Sequence, residues 1–549
     1  FLAWLGVDLL DAPVILGIGS ALATIAALVY AFPPRTWGQS LPAFAGAMFI
    51  ALAGPIGLWA VSGLEGCMVA ALLAWSLALL RPLLDGEPEP WKSFLPGVPL
   101  ALLCLTRPDG TLVTVISCGF LLLRARSGRA AAQAIALGVL PGLATLGQVA
   151  FRLAYYGDWL PNTARAKVAF TSARLESGAQ CVGGAAAASW ALWVPALLAL
   201  YVAWRDPNRR SRILLGFTLF AAWTTYAATV TCQPYGFRML IPSFVILAFL
   251  VSDALDWAQD QKPAIALGGW AATLLLLVSF GWAQQTEKNI VLAREQRPPV
   301  AVKAATIGKT LRRAFESRNP LVAVDAAGAI PFYSELRSLD MLGLNDAHIA
   351  RHRGETFGHG IQGHELGDGA YVLSQRPDLI VAGRLGAGRL AYTGGREMQA
   401  DPRFEQAYRR LRFHGREPVP LDFFVFARLD GRTGIERSGS GLRIPGYLFA
   451  GGKGTRAELG DAGELGTHFT RPARTTLAGV SFPAGTWNIS VRGVGSFSLL
   501  AIHGTQGATG SRTLPEAQIV LEEDGLVDIA VMARPPAFLT EVFARRVGE

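Results

Sequence analysis

The chain has 549 residues, of which 51% are hydrophobic, and a formal net charge of +9. It is too long for one domain and too apolar for an ordinary soluble protein. No nucleic-acid-binding motif is present, and the basic residues lie largely in short loops between apolar segments. We therefore interpret the positive charge as a signal of membrane topology and of contact with anionic lipid, with no nucleic-acid partner.

Apolar segments long enough to cross a bilayer fill the chain as far as about Trp282. We predict that residues 93–123 form two short helices meeting at residues 107–110, because a single span would place two charges near the bilayer centre. Pro-Asp-Gly at this point is also typical of a turn. The basic loops 124–129 and 205–212 then fall on one side, which their positive charge identifies as the cytoplasm.

The opposite, outer side collects four loops with polar motifs. Acids and fixed cations beside membrane spans are costly unless they are paired or face a cavity, so these loops are the predicted functional site. Its candidate residues are Glu65, Arg107, Asp109, Tyr155, Tyr156, Asn162, Thr163, Lys167 and Arg238.

The side chains at these positions fit the recognition of a phosphate and the transfer of a proton. Arg107 and Arg238 suit bidentate capture of a phosphate, and Lys167 adds a point charge. Glu65 can accept a proton from an attacking hydroxyl group. Local alternatives stay open: the acids cap helices, the arginines snorkel or anchor helix ends, and the tyrosines belong to an aromatic belt.

The last part of the chain has the composition of soluble domains. We predict an α-helical polytopic membrane domain (1–283), a periplasmic α/β domain (284–432) and a C-terminal β-sandwich or jelly roll (433–549) of a kind that often binds carbohydrate. In the β-sandwich, Trp487 is either a stacking platform for a sugar or a core residue.

A glycine-rich loop in the predicted α/β domain, residues 358–369, carries His364 and Asp368. A metal site is possible there, but the spacing of histidines and acids matches no metal signature, so we assign no metal ligands. We interpret His364 and Asp368 instead as contacts to an acceptor substrate.

Five cysteines are present, and three of them lie in apolar segments as packing residues. Cys181 and Cys232 lie in polar loops on the predicted outer side. A disulfide between them is possible there, and the sequence leaves this open.

The ordered motifs SGLEG, LTRPDG, YYGDWLPNTARAK and GFRMLIP resemble a bacterial GT-C-type membrane glycosyltransferase family. Its best-known members are the terminal arabinofuranosyltransferases of mycobacterial cell-wall arabinan. VAVDAAGAIPFYSELRSLDMLGLNDAHIAR and GHELGDGAYVLSQRPDLIVA, further along the chain, are similar to the same family. The resemblance covers most of residues 1–430.

This resemblance implies a GT-C fold in the cytoplasmic membrane, with the C-terminal domains outside it. It implies transfer of an arabinofuranose-like sugar from a polyprenyl-phosphate donor to a cell-envelope glycan acceptor, by inverting displacement and without a nucleotide. The donor substrate is then a polyprenyl-phosphate-linked sugar, no cofactor is certain, and a divalent metal is possible but unsupported by the sequence.

The resemblance also suggests roles for the candidate residues. Arg107, Lys167 and Arg238 are expected to bind the phosphate. The donor pocket is expected to contain Tyr155, Tyr156, Asn162 and Thr163, with Glu65 and Asp109 as supporting acids. The main base is expected to be an aspartate in an outer loop upstream of Phe1, so that the chain given is expected to be a fragment.

Two other functions remain as alternatives. A transporter for lipid-linked glycans would also have many spans and basic outer loops, but it would not need a large outer region, and no internal repeat is evident. A non-catalytic assembly protein would explain the β-rich end but not the charges gathered beside the spans.

Overall fold

The structure is a computed structural model that describes residues 3–8, 10–34, 39–232, 235–260, 263–295, 300–355, 357–439, 441–503, 506–508 and 516–548. It divides into two compact units. The helical unit comprises Phe1–Pro161 and Lys167–Arg297, and the sheet unit comprises Asn162–Ala166 and Pro298–Glu549. A helical region thus precedes a β-rich region, as predicted.

The first 295 residues are almost entirely helical. The helices are α1 (Ala12–Ala31), α2 (Leu41–Leu52), α3 (Gly54–Ala60), α4 (Gly66–Asp85), α5 (Phe94–Thr106), α6 (Gly110–Leu123), α7 (Gly128–Tyr156), α8 (Asn162–Lys167), α9 (Ser172–Ala188), α10 (Trp190–Arg205), α11 (Pro207–Tyr226), α12 (Ile241–Gln259), α13 (Pro263–Thr286) and α14 (Lys288–Glu295). The division between the two units falls within α8.

Several of these helices are long and apolar enough to cross a membrane. Among the described residues there are five such helices, or up to seven if the bent pairs α2–α3 and α9–α10 each count as one span. The bends measure 61° and 88°. By length and composition, this is a multi-pass membrane protein.

The predicted break between two short helices is confirmed. Arg107 adopts an extended conformation (φ −146°, ψ 137°) between α5 and α6, as expected for a residue that precedes a proline. The next helix then begins at Gly110, where an added Cβ would lie only 2.6 Å from the carbonyl oxygen of Leu103. The glycine therefore allows the two helices to approach each other closely.

Charged groups lie at both ends of α4. Glu65 precedes its first residue, whereas Arg81, near its C-terminal end, forms an ion pair of 2.8 Å with Asp253. Arg212, from a predicted cytoplasmic loop, also pairs with Asp253 at 2.7 Å. At a rise of 1.5 Å per residue, Glu65 and Arg81 are about 24 Å apart along the helix. The helical unit thus has two polar ends separated by apolar packing.

The helices of the sheet unit are α15 (Val300–Phe315), α16 (Ala329–Ser334), α17 (Ala347–Arg351), α18 (Gly369–Ser374), α19 (Thr393–Ala400) and α20 (Pro402–Ala407). Its strands are β1 (Leu321–Val324), β2 (Arg337–Asp340), β3 (Leu379–Val381), β4 (Tyr408–Gly415), β5 (Leu421–Arg428), β6 (Glu436–Ser438), β7 (Gly441–Pro445), β8 (Thr455–Leu459), β9 (Leu465–Phe469), β10 (Ala473–Phe482), β11 (Gly485–Val494), β12 (Phe497–His503), β13 (Gln506–Ala508), β14 (Glu516–Leu521), β15 (Gly525–Ala533) and β16 (Ala537–Arg546).

These strands form two sheets. The larger has the order β14-β11-β16-β9-β8-β4-β5-β3-β1-β2, with β7 paired to β16 and β6 paired to β7, and the smaller has the order β10-β15-β12-β13. Strands β2, β1 and β3 are parallel, with Val322 aligned to Ser338 on one side and Leu379 on the other. The larger sheet runs through both predicted soluble domains, and their division at residue 432 stays a prediction.

One amphipathic helix and both sheets build the core of this unit. Helix α15 buries Ala304, Ile307, Leu311 and Phe315, which recur every three or four residues and so lie on one face. Trp487 is only 2% exposed and packs against Phe482. Of its two predicted roles, the core role is therefore correct, because a buried ring cannot stack on a sugar.

Candidate functional site

A tight turn before α12 fixes the position of Arg238. Gly236 and Phe237 both have positive φ (60° and 46°) within this turn. The indole N–H of Trp59 donates to the carbonyl oxygen of Gly236 at 2.7 Å, and that of Trp223 donates to the carbonyl of Met239 at 2.8 Å. Two tryptophans, on α3 and α11, thus hold the backbone on either side of Arg238.

Arg107 lies between two carboxylates. Its Nε and Nη2 donate to Asp109 at 2.9 and 2.7 Å, and its Nη1 donates to Glu65 at 2.6 Å. The hydroxyl of Tyr226 donates to the same Asp109 carboxylate at 3.2 Å. The guanidinium fork is therefore engaged by protein carboxylates, and the predicted phosphate role of Arg107 stays a prediction.

The two acids do not act as helix caps. Glu65 and Asp109 occupy the residues immediately before α4 and α6, but neither side chain accepts a hydrogen bond from its helix. Both carboxylates are bound instead by the guanidinium of Arg107, which meets Asp109 through two nitrogens. The capping alternative is therefore wrong for both residues.

Two further cations complete the group. Arg238 approaches Glu65 at 3.7 Å and lies over the Trp59 ring, 5.7 Å from its centroid. Burial lowers the pKa of Lys167, and the nearby charges of Arg238 and Arg107 lower it further. We call Glu65, Arg107, Asp109, Lys167 and Arg238 the ion cluster.

The ion cluster has the charge of an anion site. Its three cations and two carboxylates leave it formally positive by one. Burial alone would raise the pKa of Glu65, but the charges of Arg238 and Arg107 and a backbone hydrogen bond hold it below the usual value. Glu65 is thus ionised at neutral pH, and the cluster can bind an anion that satisfies its excess positive charge.

Four predicted residues of the donor pocket are not among the residues that form the ion cluster. The rings of Tyr155 and Tyr156 are 71% and 67% exposed and contact each other and Phe151. Within the described residues, no hydrogen bond joins either tyrosine to the cluster. Asn162 and Thr163 belong to the sheet unit. The role of these four residues in a donor pocket stays a prediction.

The sheet unit brings two aspartates to the carboxyl ends of its parallel strands. Asp325 follows β1, Asp340 ends β2, and Gly383 lies just after β3. The N–H of Gly383 donates to Asp325 at 2.5 Å. Burial raises the pKa of Asp325 to about 6, with a contribution from the charge of Asp340 and despite this hydrogen bond. Ligands of open α/β sheets bind at this edge, so Asp325 is a candidate that sequence reasoning missed.

His364 and Asp368 have different surroundings. The His364 ring lies 4.9 Å from that of Tyr392, whose pKa is raised by burial and by the charge of Asp325. His364 is therefore near the strand ends. Asp368, in contrast, accepts the N–H of Tyr371 at the start of α18. Its carboxylate is engaged locally, and its role as an acceptor contact stays a prediction.

Comparison with known proteins gives one family match and several structural ones. Residues 289–422 match the model of a domain of unknown function, DUF8728. No curated protein matches the sequence. Two crystal structures of ArnT from Cupriavidus metallidurans, in the apo state and bound to undecaprenyl phosphate, match with TM-scores of 0.40 and 0.41 and 14% identity. Each match covers 60% of this chain and 71% of the ArnT chain.

A cryo-electron microscopy structure of the arabinofuranosyltransferase AftD from Mycobacteria also matches, with a TM-score of 0.38 and 10% identity. The match covers 97% of this chain and 52% of the AftD chain, so this chain spans about half the length of AftD. These TM-scores are too low to support conclusions about the site, so its function is inferred from the residues of this chain.

Proposed function

We propose that this protein is an integral-membrane glycosyltransferase. In this proposal it moves an arabinofuranose-like sugar from a polyprenyl-phosphate donor to a cell-envelope glycan, on the outer face of the cytoplasmic membrane. The observation that carries the proposal is the ion cluster, in which separate loops between apolar helices bring three cations and two carboxylates together.

The cluster suits a leaving group that is a lipid phosphate. Negative charge grows on the phosphate as the bond to the sugar breaks, and cations placed beforehand stabilise that charge. Among the described residues, Arg238 forms one ion pair, a longer one of 3.7 Å with Glu65. We therefore assign the phosphate to Arg238 and Lys167, with Arg107 as a positioning residue that holds both acids.

The acids have separate tasks in this scheme. A carboxylate must take the proton of the acceptor hydroxyl as it attacks the sugar. Asp109 is only 6% exposed and bound to Arg107 through two nitrogens, so it is a structural partner. Glu65 is 29% exposed and ionised, but two arginines weaken it as a base. We assign Glu65 to orienting the cations, and in this proposal the base is not one of the two acids of the ion cluster.

A disulfide supports an outer location for the ion cluster. The sequence left open whether Cys181 and Cys232 are paired, and in the structure they form a disulfide. Disulfides persist in oxidising compartments. Cys232 lies six residues before Arg238, on the same end of the helical unit. The strand ends of the sheet unit, with Asp325, His364 and Tyr392, are our candidate for contacts with the acceptor glycan.

The test is transfer from radiolabelled polyprenyl-phosphoryl arabinose in membranes that contain the protein expressed from its complete gene. Loss of one charge-assisted contact is worth about 1.5–3 kcal/mol, or roughly 10- to 100-fold in kcat/KM. We expect losses of this size for Arg238→Ala and for Lys167→Met, with Arg238→Lys retaining part of the activity.

The exposed Arg126 provides the matched control, because Arg126→Ala removes the same charge from another loop of the helical unit. Wild-type activity in both Arg238→Ala and Lys167→Met would refute the phosphate assignment. If the wild-type protein binds lipid-linked sugars but transfers none of them, the transporter or assembly function replaces the glycosyltransferase.

A further inference from the structure

Two histidines and one aspartate of the sheet unit point at a common position. His348 lies in α17, His352 directly follows this helix, and Asp368 directly precedes α18. The Asp368 Oδ2 atom lies 2.8 Å from His348 Nε2 and 3.8 Å from His352 Nδ1. All three atoms lie within 4.8 Å of one another.

We propose that His348, His352 and Asp368 bind a divalent transition-metal ion, and that this ion is Zn²⁺. Zn²⁺ takes imidazole nitrogens and carboxylate oxygens at about 2.0–2.2 Å in a tetrahedron, so its ligand atoms lie about 3.3 Å apart. The observed 2.8 and 3.8 Å bracket this separation. Small side-chain rotations are sufficient to bring the three atoms around one ion.

The ligand set favours zinc over the alkaline-earth ions. Ca²⁺ and Mg²⁺ prefer oxygen ligands, whereas two imidazoles with one carboxylate suit Zn²⁺. The side chains of His348 and His352 are 48% and 54% exposed, so a water molecule can reach the fourth position. Three protein ligands and one water form a common zinc environment.

Surrounding contacts hold the ligands in place. Asp368 Oδ1 accepts the N–H of Tyr371 at 2.8 Å, which leaves Oδ2 directed at the histidines. The His348 ring stacks on the Tyr371 ring at 4.0 Å, and the Tyr371 hydroxyl donates to Asp346 at 3.2 Å. Asp346 in turn caps α17 through the N–H of Ile349. Outer contacts of this kind orient metal ligands.

The proposed ion would connect the two ends of the glycine-rich segment between His352 and Asp368. That segment carries His364, which lies near the strand ends. A metal that joins the ends of a loop restricts its conformations. The ion would therefore order this segment while keeping one coordination position open to water. This role does not depend on sugar transfer, so its test stands apart from the activity assay.

The test is zinc content, measured by mass spectrometry on the full chain purified in detergent without a polyhistidine tag, after Zn²⁺ addition and gel filtration. We expect one Zn²⁺ per chain. His348→Ala and His352→Ala should each weaken binding at least about 100-fold, since the loss of an outer partner alone costs 10- to 100-fold. Co²⁺ in place of Zn²⁺ should give the visible absorption of a tetrahedral site.

Two variants keep the test independent of folding. Asp368→Asn keeps an acceptor for the N–H of Tyr371 but removes the anionic ligand, so it should lose zinc while remaining folded. His359→Ala removes an exposed histidine of the same segment and should retain zinc. As a second readout, Zn²⁺ should slow tryptic cleavage after Arg353, and EDTA should reverse this effect. No zinc in the wild-type chain, or equal zinc in all variants, would overturn the proposal.

Discussion

Arg107 should interact more strongly with Asp109 than with Glu65. It binds Asp109 through two nitrogens at 2.9 and 2.7 Å, but Glu65 through one at 2.6 Å. The side chain of Asp109 is 6% exposed and that of Glu65 29%. Both values are below a third, so solvent leaves most of each interaction intact. The pair with Asp109 should therefore be the stronger one.

Double-mutant cycles measure this difference. Hydrogen bonds to charged groups contribute about 1.5–3 kcal/mol each. We expect a coupling free energy of about 3 kcal/mol for Arg107→Ala with Asp109→Asn, and of about 1.5 kcal/mol for Arg107→Ala with Glu65→Gln. The free energy of unfolding of each variant is measured by tryptophan fluorescence in mixed detergent micelles.

The control for these cycles is Arg126→Ala with Asp109→Asn, which should give a coupling near zero. Equal couplings for the two acids, or a larger value for Glu65, would refute the geometry on which the positioning role of Arg107 rests. Couplings below about 0.5 kcal/mol in both cycles would show that the three groups do not act as one unit.

Three further predictions concern other parts of the structure. Gly236→Ala should destabilise the protein by about 1–3 kcal/mol, because φ at Gly236 is 60° and an added Cβ would meet the Leu58 side chain at 2.6 Å. Gly57→Ala is the control and should not destabilise the protein, because Gly57 lies in a helix with open space around its Cβ position. Replacing both Cys181 and Cys232 by serine should lower the free energy of unfolding by about 2–4 kcal/mol, and dithiothreitol should have the same effect on the wild type but none on the variant. The pKa of Asp325 is raised from 3.8 to about 6, so its ionisation disfavours the folded state, and the stability present below pH 3.8 is lost as the pH rises through 6. Asp325→Asn should therefore gain up to about 3 kcal/mol over the wild type between pH 4 and pH 7, and a difference that does not change with pH would contradict this.

Local chemistry in the sequence was sufficient to predict the break between the two short helices. Arg107-Pro108-Asp109-Gly110 contains a proline that extends the preceding residue and a glycine that permits a close approach. Both effects act within four residues, and the structure has the break at that point. Apolar length and alternation likewise predicted a helical region followed by a β-rich one.

Contacts between side chains that are distant in the sequence could not be predicted from local chemistry. The contact of Arg107 with Glu65 joins residues 42 positions apart, and no local pattern says that a guanidinium will bind acids rather than a phosphate. Asp325 had a local signal, because it follows a short buried strand, but its burial depends on the neighbouring strands. The sequence also contains a local signal for the pair His348 and His352, since a spacing of four residues places two side chains on the same face of a helix.

The geometry finally changes which cation is expected to bind the donor. From the sequence, Arg107 and Arg238 were equivalent, since each is an arginine beside a membrane span. In the structure, Arg107 is bound by two carboxylates at 2.6–2.9 Å, so a phosphate would have to displace a protein ligand to reach it. Among the residues that the structure describes, Arg238 forms an ion pair with Glu65 alone, at 3.7 Å, and the backbone on either side of it is held by two tryptophans. A rigidly placed cation with a weak partner meets the requirement for stabilising a leaving phosphate, because little rearrangement is needed when the charge develops. Arg238 is therefore the residue at which loss of transfer should occur without loss of folding, whereas substitution of Arg107 should affect both.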